Sequence, residues 1–112
     1  MGAPRFLKKV LWENDSSNFG AQTIELNSDD YDYVIIYAYR NASGDKVRTV
    51  SIVIEKGKSA ELVYSDYFGN AVRAWTRKAE VNNNAVAFTD GTINGSVTNT
   101  CLVPYKIVGC KY

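Results

Sequence analysis

The sequence has no histidine at all, and only two cysteines, two prolines and one methionine among its 112 residues. Without histidine, a Ser-His-Asp triad is impossible, and the commonest general base near neutral pH and the commonest metal ligand are missing. No CxxC pair is present, so the cysteines do not suggest a zinc site. No P-loop and no GxGxxG stretch appears. No run of eighteen apolar residues exists to form a membrane-spanning helix. Nor is there an excess of one charge: 13 basic and 12 acidic side chains leave +1. A protein devoted to phosphate backbones needs many more Lys and Arg contacts, so neither a nucleic-acid partner nor a membrane is expected.

What remains is ordinary in bulk and unusual in detail. Apolar residues make up 46% and charged residues 22%, a globular composition for a chain of one-domain length. The opening "MGAPRF" lacks an apolar segment of signal-peptide length. Residues 1–5 are expected to be a start or linker ahead of a single domain spanning 6–112. Eight tyrosines stand out, a residue that suits strands and contact surfaces alike.

The hydrophobic period is two throughout. "FLKKVLW" (6–12), "AQTIEL" (21–26), "YVIIYAYR" (33–40), "RTVSIVIE" (48–55), "SAELVY" (59–64), "VRAWTRKAEV" (72–81) and "AVAFTD" (85–90) read as strands. A last strand runs through "LVPYKIVGCKY" (102–112). Turn clusters separate them at "NASGDK" (41–46), "EKGK" (55–58) and "NNN" (82–84), with loops at "DYFGN" (66–70) and "GTINGS" (91–96). Residues 33–40 are apolar on both faces, which predicts a central strand covered on both sides. The pattern predicts an all-β fold: a single antiparallel β-sandwich, jelly-roll-like, of eight or nine short strands. The first and last strands are expected to be neighbours.

Cys101 and Cys110 lie nine residues apart on the closing strand. An extended strand separates them by about 30 Å, whereas a disulfide needs Cα atoms within about 7 Å. Both are therefore predicted to be reduced thiols, with no disulfide and no metal, as suits a chain matured in a reducing cytoplasm. "NSDDYDY" (27–33) offers oxygen ligands for calcium but lacks EF-hand spacing, and a polar turn is the stronger reading. No catalytic residues and no cofactor are predicted. The candidate contact residues are Tyr37, Tyr39, Arg73, Trp75 and Arg77. Aromatic rings beside arginines suit sugar stacking, but they equally suit a core or a subunit interface, which the pattern favours.

Two stretches carry a resemblance. In residues 11–40 it rests on Leu11, Trp12, Phe19, Ala21, Gln22, Thr23, Leu26, Tyr31, Asp32 and Arg40. At the end it rests on Cys101, Leu102, Pro104, Tyr105, Ile107 and Gly109, with "AVAFTDG" (85–91) between. Together they resemble the small C-terminal domains of tailed-bacteriophage and prophage tail-fibre or minor structural proteins. Cys110, following Gly109, departs from that pattern. The resemblance covers essentially residues 7–112. It implies a non-enzymatic virion module at a tail-fibre or baseplate tip, made in the bacterial cytoplasm and presenting a surface for host attachment. Its implied partners are a host-cell glycan or protein, other tail proteins and copies of itself, as a homotrimer. The alternatives are a purely structural connector and a carbohydrate-binding accessory module of a cell-wall-active protein.

Overall fold

Alternating side chains along the described residues become ten strands in two antiparallel sheets. The computed structural model describes residues 8–42 and 45–112, with the side chains at 41–47 and 68 outside the described set. The expected leader at 1–5, residues 6 and 7 of the first expected strand and the tip of the 41–46 turn lie outside the described residues. The strands are β1 (Lys8–Glu13), β2 (Gln22–Glu25), β3 (Tyr33–Ala42), β4 (Asp45–Glu55) and β5 (Ser59–Phe68). They continue with β6 (Ala71–Val81), β7 (Ala85–Phe88), β8 (Thr92–Ile93), β9 (Ser96–Val97) and β10 (Val103–Cys110).

One sheet has the order β1-β10-β3-β4, so the expected pairing of first and last strands is present and β3 is central. The other has the order β2-β7-β6-β8-β9, with β5 along the opposite edge of β6. The two sheets pack as a sandwich. Val34, Ile36 and Ala38 of β3 and Ile54 of β4 face Leu62, Trp75, Ala79, Val81, Val86 and Phe88 of the second sheet. Phe19 meets the Trp12 and Phe88 rings edge-on at 5.8 and 5.3 Å, closing one flank of the core.

Two expectations about loops are corrected. "DYFGN" is mostly strand: β5 runs on to Phe68 and only Gly69 and Asn70 turn the chain. "GTINGS" is not a plain polar loop but a small hairpin. Asn94 and Gly95 both take positive φ, 50° and 83°, the two-residue turn whose twist suits paired strands. Among the described residues the strands number ten, and two hairpins are long: β5–β6, and β3–β4, whose strands run to Ala42 and from Asp45 through most of the turn expected at 41–46. Their tips lie at one end of the sandwich, because Arg40 near one tip reaches Asp66 near the other.

The cysteines are free and both buried. Cys101 Sγ lies 3.3 Å from the Thr92 carbonyl, and burial pushes its thiol up to about 11. Pro104 is the second residue of β10, beside the register shift between Pro104 and Lys106, where a strand inside a sheet can accommodate a missing N–H. "NSDDYDY" serves as the expected turn: Asp30 pairs with Lys111, and Asp32 accepts the Tyr112 N–H at 2.9 Å. Among the described residues no three acids, cysteines or histidines gather as metal ligands.

Candidate functional site: an arginine–aromatic cluster at the hairpin tips

β5 and β6 pair so that Asp66 stands opposite Arg73 and Tyr64 opposite Trp75. All four point into the sandwich. From the facing sheet Arg40 follows Val34, Ile36 and Ala38 at alternate positions, so it too points inward, and Arg48 is its cross-strand partner. Alternation turns these side chains inward, and the meeting of the two hairpins gathers four cationic or aromatic side chains around one carboxylate.

Asp66 accepts four hydrogen bonds. Arg73 grips it with two prongs, Nε to Oδ1 at 2.9 Å and Nη2 to Oδ2 at 2.6 Å. Arg40 Nη1 donates to Oδ2 at 2.5 Å and Trp75 Nε1 to Oδ1 at 3.0 Å. Paired geometry of this kind is the strong form of a charge-assisted bond. The Arg73 hydrogen bond is the main reason that the Asp66 carboxyl is held below its ordinary range, the Trp75 bond and the two arginine charges adding to it against the desolvation of a largely covered side chain. The arginines also lie over rings: Arg73 is 5.0 Å and Arg40 5.4 Å from the Trp75 ring, and Arg40 is 5.6 Å from that of Tyr64.

The charges do not cancel. Among the described side chains, Arg40, Arg73 and the exposed Arg48 give three positive groups against the Asp66 carboxylate. On the outer face of the same tip, Tyr67 and Val72 are cross-strand partners and are 70% and 60% exposed. The end of the sandwich therefore offers cations set among rings, with an uncovered tyrosine beside them.

The five residues expected to make contacts are dispersed. Arg73 and Trp75 are in the cluster, Trp75 with its indole N–H committed to Asp66 and only 3% of its surface exposed. Tyr37 and Tyr39 are on the outer side of the first sheet, each about 6 Å from the Tyr105 ring. Tyr37 is half-buried and Tyr39 is 1% exposed. Arg77 is also 1% exposed, inside the core. Its Nε, Nη1 and Nη2 donate to the carbonyls of Leu102, Thr89 and Cys101 at 3.0, 2.8 and 2.9 Å, and it lies 5.3 Å over the Phe19 ring. Burial pushes the Arg77 guanidinium below its usual range. In this fold Arg77 and Tyr39 hold structure and do not face a ligand.

The cradle for Arg77 depends on Gly91. A Cβ there would fall 2.5 Å from the Cys101 carbonyl oxygen and 2.6 Å from Arg77 Nη2. Arg40, Arg48, Asp66 and Tyr67 were not among the expected contacts. The period-two rule places Arg40 and Asp66 on inward faces, but only the tertiary meeting of the two hairpins brings them together. Comparison with known proteins adds no identity: no protein-family model matches the chain, and no curated protein matches it.

Proposed function

We propose that the chain is a non-enzymatic structural and attachment module of a tailed-bacteriophage or prophage tail, meeting a host-surface glycan or protein through its hairpin tips. The observation that supports the attachment role is the excess positive charge set among rings at the tips, with Tyr67 uncovered beside it. Rings stack on sugar faces, and arginines bind carboxylates and hydroxyls. A rigid tyrosine orders at little entropic cost. Acidic glycans fit this combination best. The virion context rests on the resemblance at residues 11–40 and 101–109. Asp66, kept ionised by four donors, is unsuited to act as a proton donor in glycoside hydrolysis.

The test is a glycan array and adsorption to bacterial cells with the parent protein, Tyr67→Ala and Arg48→Ala. Binding to uronic- or sialic-acid glycans that falls at least about tenfold in both variants supports the reading. Binding that both variants retain, or none on cells or array, overturns the attachment role. The connector reading has an observation of its own: large apolar side chains are exposed on the outer sides of both sheets, Val53 on one and Val63 on the other.

A further inference from the structure

The turn between β8 and β9 holds the one Asn-Gly step in the sequence, Asn94–Gly95, and both residues are exposed. In a regular antiparallel ladder two facing residues exchange backbone N–H and C=O groups. Asn94 faces Ala74 one step beyond the Trp75–Ile93 pair, and there the exchange is altered. The Asn94 N–H donates to the Ala74 carbonyl at 2.8 Å. The Ala74 N–H donates in return to Asn94 Oδ1, also at 2.8 Å. With its φ at 50°, Asn94 is in the left-handed region, and its side-chain carbonyl takes the place of the backbone one. Gly95 is open to solvent, since a Cβ there would meet nothing within 4 Å.

We propose that Asn94 is a self-modification site, deamidated through Gly95 and held shut by its bond to β6. The Gly95 amide nitrogen loses its proton to water and attacks Asn94 Cγ. The bond from Cγ to Nδ2 breaks, and the amide leaves as ammonia. A five-membered succinimide remains. Water opens it at either carbonyl, leaving aspartate or isoaspartate at position 94. One water is consumed, one ammonia is released, and nothing is oxidised or reduced. Gly95 has no side chain to hinder the attack.

The latch is the hydrogen bond from Ala74. It fixes Oδ1, and with it Cγ, toward β6. Ring closure requires Cγ to swing back over the Gly95 nitrogen, to within about 3–3.5 Å. That bond must therefore break first, and the β8–β9 hairpin must lift from β6. Such local opening is cheaper than global unfolding for a short element. The reaction is irreversible, so each opening that ends in ring closure leaves a permanent mark. Aspartate keeps an oxygen for Ala74. Isoaspartate adds a carbon to the main chain inside a two-residue turn, whose length fixes the hairpin register. β8 then loses its place beside Trp75 and Thr76, and the Cys101 thiol loses its contact with the Thr92 carbonyl. This inference is independent of any glycan at the hairpin tips.

Ageing the protein at mildly alkaline pH, folded and in urea, tests it, with peptide mapping by mass spectrometry reading the exchange of amide for acid at each asparagine. In urea Asn94 should be modified first among the asparagines, and at least about tenfold faster than in the folded protein. Thr92→Val removes the hydroxyl bond between Thr92 and Thr76, 2.7 Å long, and leaves the turn sequence intact. It should speed modification of the folded protein at least about threefold, with circular dichroism confirming the fold. Gly109→Ala, in the other sheet, should leave the folded rate unchanged, because the opening is local. A thiol-reactive dye should label Cys101 in the isoaspartate-bearing fraction of aged protein. Modification of folded protein as fast as in urea, none at Asn94 in urea, or a folded rate that Thr92→Val leaves unchanged would overturn the inference. So would equal acceleration by Gly109→Ala, or a Cys101 as unreactive in the isoaspartate-bearing fraction as in fresh protein.

Discussion

A single carboxylate and a single guanidinium carry opposite duties. Asp66 sits where the hairpins meet and gathers partners from both. Its folded-state pKa is depressed, so its contribution is complete above the unfolded value near about 3.9 and is lost as pH falls through the folded value. Asp66→Asn should cost about 1–3 kcal/mol at pH 7 by urea unfolding. Below about pH 4 the variant should lose stability with acid more gently than the parent. Arg77 has no carboxylate among its hydrogen-bond partners and instead collects three carbonyls. Arg77→Leu strands those oxygens, and a loss of about 3–5 kcal/mol in the same assay is expected. Arg77 was expected to make contacts and is buried instead, because it shares a core face with Trp75, Ala79 and Val81 at alternate positions. What it bonds was not legible, because its partners lie 12 to 25 residues further along the chain.

At the scale of the strand, pairing depends on close approaches that only glycine permits. Gly109 of β10 lies beneath Leu11 of β1, and a Cβ there would come 2.6 Å from Leu11 Cδ1 and 3.1 Å from Tyr31 Cβ. Gly109→Ala should destabilise by about 1–3 kcal/mol. Combined with Leu11→Ala the two changes should cost less than their sum, a coupling that a double-mutant cycle on urea midpoints reads directly. The strands themselves were plain from period two, and the central place of β3 followed from its two apolar faces. The Asn94–Gly95 hairpin was hidden by its polar composition, although Asn-Gly is a strong turn signal. The full length of β5 was hidden by Asp66, a residue rare in strands whose charge is answered by Arg73 on the neighbouring strand and by Arg40 across the sandwich.

For the molecule as a whole, the thiols report integrity. Both cysteines are buried, and Cys101 stays protonated far above neutral pH. A thiol-reactive dye at pH 7.5 should label neither in the native state and both in urea, quantified by intact mass. Labelling of either one in the native protein would mean that the β10 region opens locally. The sandwich class could be read from strand count and turn spacing. The arrangement of hairpin tips could not, since it depends on which residues meet across two sheets.

The place of β10 has a consequence for synthesis. It comes after the other nine strands described, yet it lies inside its sheet, between β1 and β3. Until the ribosome has released residues 103–110, β1 has no neighbour and one whole side of β3 lacks its partner. The first sheet cannot close until β10 has left the ribosome. Folding must wait for the final strand to arrive, and a nascent chain stalled short of it presents an apolar edge open to chaperones or to other nascent copies.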